Sequence, residues 1–158
     1  MIRKIKTSDA KAICSIYNYY IQNTIITFEE EPVSENEMIN RITSATLPWL
    51  VFEDGGNILG YAFASEWKSR CAYKYSVECS VYLDTNCKGR GVGTQLYKEL
   101  LNQLKELKYH TIIAGIALPN EVSVKFHEKL GFEKVAHFKE VGFKFDEFID
   151  VGYWEIIL

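Results

Sequence analysis

The sequence predicts a mixed α+β fold, and three observations predict it. Apolar residues recur with a helical period in some stretches and alternate in others. The strand-like runs do not alternate strictly with helices, as a parallel βαβ sheet would require. The 158 residues, 47% hydrophobic and 25% charged, have the composition of one globular domain. No repeat, low-complexity tract or linker breaks the chain, so residues 1–158 read as a single domain.

Each element has its own signal. Ile2 to Ile5 alternate like a short strand, and Thr7 or Ser8 is placed to cap a helix whose apolar positions are Ala10, Ile13, Tyr17, Tyr20 and Ile21. Ser34-Glu35-Asn36-Glu37 fits a capping box, which predicts a second helix running past Ile42. Trp49 to Glu53, a turn at Asp54-Gly55-Gly56-Asn57, and Ile58 to Glu66 form a predicted hairpin, and Ala72 to Leu83 reads as one long strand. Val92, Leu96, Leu100, Leu104 and Leu107 mark the stripe of a third helix, and Thr111 to Ala117 is strand-like. A short helix starts near Glu121 and stops at Gly131, a good residue just past a helix end. Glu133 to Val141 and Ile149 to Leu158 supply the last strands.

Eighteen Lys and Arg against 21 Asp and Glu give a net charge of −3, which argues against a nucleic-acid partner. No apolar run approaches the roughly 20 residues of a membrane helix, and no apolar signal core follows Met1-Ile-Arg-Lys-Ile-Lys. Cys14, Cys71, Cys79 and Cys87 contain no Cys-x-x-Cys pair, and His110, His127 and His137 lack ligand-like partners, so no metal site is expected. The cysteines read as reduced thiols of a cytoplasmic protein.

The most informative stretch is Lys88-Gly89-Arg90-Gly91-Val92-Gly93-Thr94, between a predicted strand and a predicted helix. Glycines let backbone N–H groups approach a ligand closely, and with the helix N-terminus behind them they suit a pyrophosphate. Lys88 and Arg90 add positive charge. The loop lacks the Gly-Lys-Ser/Thr ending of a P-loop and the position of a dinucleotide fingerprint, and taken alone a plain glycine-rich turn remains open. Asn120, Ser123 and His127 are spaced three and four apart and so share one face of the short helix, with Val122, Phe126 and Leu130 on a neighbouring face towards the sheet. Taken alone, a histidine such as His127 is more often a surface residue than a catalyst.

These residues together resemble the GNAT acetyltransferase superfamily: strand, Lys88 to Gly93, helix, strand, Asn120, then Phe126-His127-Glu128-Lys129-Leu130-Gly131-Phe132. More narrowly, the chain is similar to the phosphinothricin and methionine sulfoximine N-acetyltransferases. The narrower match rests on Ile16-Tyr17-Asn18-Tyr19-Tyr20, Thr27-Phe28-Glu29-Glu30, Trp67 to Tyr73, Val77-Glu78, Leu118-Pro119-Asn120, and Val141-Gly142-Phe143-Lys144 through Asp150-Val151-Gly152. It covers nearly the whole chain. The resemblance implies a mostly antiparallel twisted sheet flanked by helices on both faces, acetyl-CoA as donor, a small primary amine as acceptor, and a homodimer. It assigns the pyrophosphate to residues 88–93 with Thr94, pantetheine to the backbone of Val81, Tyr82 and Leu83, and further cofactor contacts to Asn120 and Ser123. Three departures stand out: Lys88 where Gln or Arg is usual, His127 where many members of the superfamily have Tyr, and Phe148 where the subgroup commonly has Trp.

Acetyl transfer needs a neutral amine, and the resemblance makes Glu78 the proton acceptor. Ser76, Glu78 and Ser80 share one face of their strand. An ammonium of pKa about 8 facing a carboxylate of about 4.3 leaves proton transfer roughly 5 kcal/mol uphill, so a raised Glu78 pKa or a relaying water is required. A backbone N–H of the strand is expected to stabilise the oxyanion. His127 is expected to protonate the leaving thiolate or to join a relay. Phe28, Arg70, Tyr73 and Val77 are expected at the acceptor, Arg70 holding a carboxylate unless it is a plain loop charge. A peptide N-terminus or a polyamine as acceptor, and a non-catalytic CoA-binding sensor, are the competing functions.

Overall fold

The structure, a computed structural model, describes residues 1–87 and 89–158. Strand β1 (Ile2–Lys4) is followed by helices α1 (Ala10–Asn23) and α2 (Glu35–Ser44), then β2 (Trp49–Asp54), β3 (Asn57–Glu66) and β4 (Ser76–Leu83). Helix α3 (Val92–Glu106), β5 (Thr111–Leu118), α4 (Glu121–Lys129), β6 (Glu133–Lys144) and β7 (Glu147–Ile157) complete the order. Among the described residues the strands form one sheet, β1-β2-β3-β4-β5-β7-β6, antiparallel throughout except between β4 and β5. The predicted mixed α+β architecture, with a mostly antiparallel sheet and helices on both faces, is what the chain forms.

Two cores follow from the pleat of that sheet. One face packs against α3, whose Leu96, Leu100 and Leu104 are completely buried, and against Val124, Phe126 and Leu130 from the region of α4. The other face packs against α1 and α2 through Ile13, Ile21, Met38, Val51 and Tyr61. Along β4, Val77 and Cys79 enter the α3 core, which sends the alternating Glu78, Ser80 and Tyr82 towards the α1 side.

Several boundaries differ from expectation. Thr7–Asp9 forms a 3-10 turn, and Asp9 organises it: its Oδ2 accepts from the Lys6 amide at 2.8 Å, and both its oxygens accept from the Arg3 guanidinium at 2.8 and 2.9 Å. The Ser34 cap forms as predicted, with its Oγ accepting from the Glu37 amide at 3.1 Å. The strand expected from Ala72 starts only at Ser76, because Cys71–Tyr73 closes a 3-10 turn through the Tyr73 amide to the Arg70 carbonyl at 2.9 Å. Tyr73 and Tyr75 alternate like strand residues yet are both exposed. Leu107 caps α3 from outside its buried stripe. Strand β6 runs on to Lys144, and Phe145-Asp146, both with left-handed φ (53° and 60°), make a two-residue hairpin turn.

Leu100 lies in the middle of α3 with no exposure. Leu100→Ala is expected to cost about 2–5 kcal/mol, read as a lower denaturant midpoint at unchanged m-value.

Candidate active site

Parallel pairing between β4 and β5 joins only Ser76, Val77 and Glu78 to Thr111, Ile112 and Ile113. Beyond that point β4 continues to Leu83 on β3, and β5 continues to Leu118 on β7, so the two strands part. The facing backbone edges lose their strand partners there, which leaves main-chain donors and acceptors for another molecule. On the α1 side, at the mouth of this split, is a cleft of about 350 Å³ lined by Ile26, Thr27, Phe28, Glu78, Ser80, Tyr82, Gly115, Ala117, Val141, Val151 and Tyr153.

Glu78 is the ionisable group of that cleft's floor. Burial pushes its carboxyl above the ordinary range, and the Lys68 ammonium pulls it partly back. Its side chain makes no hydrogen bond to the described residues. It reaches over β5 at Gly115: a Cβ there would lie 3.2 Å from Glu78 Oε1 and 3.1 Å from the Tyr153 ring. A glycine inside an apolar strand marks close approach, and here it makes room for the carboxylate. The result is a carboxylate that holds a proton more readily than a surface one and has no internal partner to release first.

The glycine loop lies at the α3 end of the split. Gly89 and Gly91 have φ of 78° and 74°, a conformation side-chain-bearing residues rarely adopt, and Gly91 occupies the position just before α3. No side chain caps that helix and no acidic residue lies in its first turn. The amides of Val92, Gly93 and Thr94 precede the first intrahelical bond, from the Gln95 amide to Gly91, and so point outward as an anion site. Gly93 packs closely under Leu83, at 3.2 Å from where its Cβ would be, which ties the loop to the end of β4. Arg90 is at the rim and pairs with Asp54 at 3.0 Å. The expected contribution of Lys88 lies outside the described residues.

Asn120 caps α4, its Oδ1 accepting from the Ser123 amide at 3.1 Å. His127 departs from the expected polar stripe: it is only 5% exposed and enclosed by Tyr97, Phe126 and Phe132. Its Nδ1 is 2.8 Å from the Ser123 carbonyl, which fixes the proton on that nitrogen, so Nε2 accepts from Tyr97 Oη at 3.1 Å. Burial lowers its pKa, and the ring is neutral at pH 7. Val122, expected on the sheet, is 82% exposed, because α4 is rotated so that Val124 and His127 face inward. Tyr97 Oη also lies 3.4 Å from the Cys79 carbonyl, where β4 leaves β5.

The expected acceptor residues divide. Phe28 shares the cleft with Glu78. Arg70 and Tyr73 instead line a separate crevice of about 230 Å³ with Lys68 and Lys74. Val77 is 1% exposed and faces the α3 core, since adjacent strand residues point to opposite faces and Glu78 takes the other one. The side chain of Val77 therefore does not line the cleft with Glu78. Residues the sequence reading missed are Gly115, Tyr153 and Tyr97. The isolated glycine in Thr111 to Leu118 was the available signal; nothing local marked the other two.

A model of the acetyltransferase (GNAT) domain matches residues 2–152. Phosphinothricin N-acetyltransferase of Streptomyces viridochromogenes is 35% identical over 98% of this chain and 85% of its own. L-methionine sulfoximine/L-methionine sulfone acetyltransferase of Salmonella typhimurium is 31% identical over 99% and 94%. The crystal structure of a GNAT superfamily phosphinothricin acetyltransferase from Sinorhizobium meliloti, in complex with AcCoA, superposes with a TM-score of 0.95 at 33% identity, covering 100% of this chain and 88% of that one. The chain belongs to the GNAT acetyltransferase family. It is an N-acetyltransferase, similar to the phosphinothricin and methionine sulfoximine enzymes.

Because the folded state raises its pKa, Glu78 binds its proton more tightly folded than unfolded. Stability is therefore lost as pH rises from the ordinary carboxylate range, about 4.3, through the raised value. Glu78→Gln is expected to melt above the wild type at pH 7, with the difference disappearing below about pH 4. Thermal melts across that interval check the sign.

Proposed function

We propose that the protein moves an acetyl group from acetyl-CoA to the amino group of a small free amino acid or amino-acid analogue, of the phosphinothricin or methionine sulfoximine type, by direct attack in a ternary complex. The observation that carries this reading is the unpartnered carboxylate of Glu78, its pKa raised by burial, on the floor of a cleft where β4 and β5 separate. The donor fits the other side of the split. The α3 amides and Gly89 to Thr94 suit its pyrophosphate, the β4 edge from Val81 to Leu83, which has no β5 partner though Tyr20 donates to the Leu83 carbonyl, suits pantetheine, and Asn120 and Ser123 flank the end of β5. When bound, it supplies a thioester carbonyl open to attack by an amine.

In this reading Glu78 accepts the proton of the incoming ammonium, directly or through a water. The raised pKa narrows the gap that makes the transfer costly in water. A β4 amide without a strand partner steadies the oxyanion. His127 acts through Tyr97 rather than by touching sulfur: both ring nitrogens are engaged, and the Tyr97 hydroxyl reaches β4 at the split. Phe28 bounds the acceptor. Arg70 guides an acceptor carboxylate from the neighbouring crevice, whose segment joins the cleft where Trp67 packs edge-on to Tyr153 at 5.3 Å.

The protein works in the cytoplasm as a homodimer. Phe138, Phe143 and Phe148 on the β6–β7 hairpin, each more than half exposed, are apolar surface that a second copy would cover. Among the described residues no helix is long and apolar enough to cross a membrane.

The test is thiol release from acetyl-CoA against a panel of free amino acids, methionine sulfoximine and phosphinothricin, with short peptides and polyamines alongside. Turnover on free amino acids or analogues is expected; turnover on peptides alone, or CoA binding with a flat panel, overturns the reading. Glu78→Gln is expected to lower kcat about 10²- to 10⁴-fold and to abolish the acid limb of the pH–rate profile. An unchanged limb removes Glu78 from the role of base.

A further inference from the structure

The cleft above Glu78 has a wall without regular structure. Residues 24–34 join α1 to α2, and Ile26, Thr27 and Phe28 of this loop line the cleft. Such a segment needs partners for its backbone carbonyls if it is to hold one shape. One group from the far end of the chain serves two of these carbonyls. Lys144, at the end of β6, is 1% exposed, and its Nζ donates to the Thr24 carbonyl at 2.8 Å and the Thr27 carbonyl at 2.7 Å. The ammonium also lies 5.0 Å from the centre of the Phe145 ring, at the tip of the hairpin. Among the described residues it forms no ion pair.

Burying an ammonium with no direct ion pair, only the more distant charge of Glu30 acting on it, is costly unless its hydrogens are used, and a leucine or methionine would fill the same space without that cost. What the charge provides is a tether between two segments far apart in sequence. A second contact works beside it. The Phe28 ring lies against Gly142, where a Cβ would come within 2.4 Å of Phe28 Cζ, so ring and hairpin backbone touch with no room between them. The opposite side of the loop is held by α1 and α2: Tyr17 Oη and Thr27 Oγ1 are 2.8 Å apart, Tyr17 also donates to Glu29, and Arg41 grips Glu29 with bonds of 2.6 and 3.0 Å. Phe28 is thus seated between two anchors, of which Lys144 is the one on the hairpin side.

We infer that Lys144 is a positioning residue for the acceptor: by holding the carbonyls of Thr24 and Thr27 it fixes Phe28 against Gly142 and so sets the width of the cleft above Glu78. The inference rests on the acceptor reading given above. It is directed at the acceptor side: among the described residues the Lys144 ammonium bonds only to Thr24 and Thr27, and no hydrogen bond joins residues 24–34 to Gly89 to Thr94 or α3.

Lys144→Met keeps the stem and removes the ammonium. The expected result is an acceptor KM raised about ten- to a hundredfold, in line with the effect of an ångström-scale displacement, with acetyl-CoA KM unchanged. Amide hydrogen exchange over residues 25–29 is expected to become faster than in the wild type, while exchange in α3 stays the same. Faster exchange with an unchanged acceptor KM overturns the positioning role, and unchanged exchange overturns the tether itself. Gly142→Ala displaces Phe28 without touching the lysine and is expected to give the same KM split, so it decides the matter should Lys144→Met fail to fold. If the wild type acetylates no small amine, the acceptor reading falls and the positioning role with it, while the exchange data still judge the tether separately.

Discussion

Parallel strands need a shared register to stay paired, and β4 and β5 keep theirs for three residues only. The separation that follows is the constraint on which the rest of the molecule depends. Each strand remains bound on its other side, β4 to β3 and β5 to β7, so the sheet opens without either half losing its ladder. The opening exposes two backbone edges that face each other, with the α3 N-terminus and the glycine loop at one end. On the α1 side, the pleat of β4 turns Glu78 into the cleft at the last paired residue.

The side chains around the opening are arranged by opposite demands on the two faces. Towards α3, close packing of leucines and Tyr97 leaves no freedom for the strand to drift. The polar atoms trapped there are paired with one another: Tyr97 with His127, and His127 with the Ser123 carbonyl. Among the described residues no fully buried side-chain nitrogen or oxygen lacks a partner, and the unpartnered carboxylate of Glu78 is only partly buried, at the cleft. On the α1 side the surface is aromatic, with Trp49 stacked on Phe63 at 4.4 Å and Tyr61 on Tyr82 at 5.5 Å. Of these rings Tyr82 lines the cleft, with Tyr153 of β7, beside Glu78, whose burial raises its pKa while the cleft leaves it open to a ligand. A loop without secondary structure then closes the cleft, held from both sides by long-range polar contacts.

Legibility in the sequence followed the range of the interaction. The Ser34 cap, the α3 stripe and the turn at Gly55-Gly56 are decided within a few residues, and they form where the pattern placed them, apart from Leu107, which is exposed past the end of the stripe. The Cys71–Tyr73 turn was concealed because alternating tyrosines imitate a strand when nothing local reveals that they face water. The orientation of His127 was hidden for a related reason. A short amphipathic helix has two plausible inward faces, and the hydrogen bond from Tyr97, thirty residues away, selects between them.

The sequence by itself determined the mixed α+β class, the helices and most strands, and the glycine-rich turn before α3, since periodicity and backbone conformational freedom are properties of neighbouring residues. Its family resemblance, carried by blocks spread along the chain, marked Glu78 and Phe28. Only the tertiary structure decided that β4 and β5 part after Glu78, that Gly115 gives the carboxylate its space, that Val77 and Arg70 lie away from it, and that Lys144 reaches back to Thr24 and Thr27. Each of these depends on which distant segments the sheet brings side by side, and that information belongs to strand order and register rather than to any local run of residues.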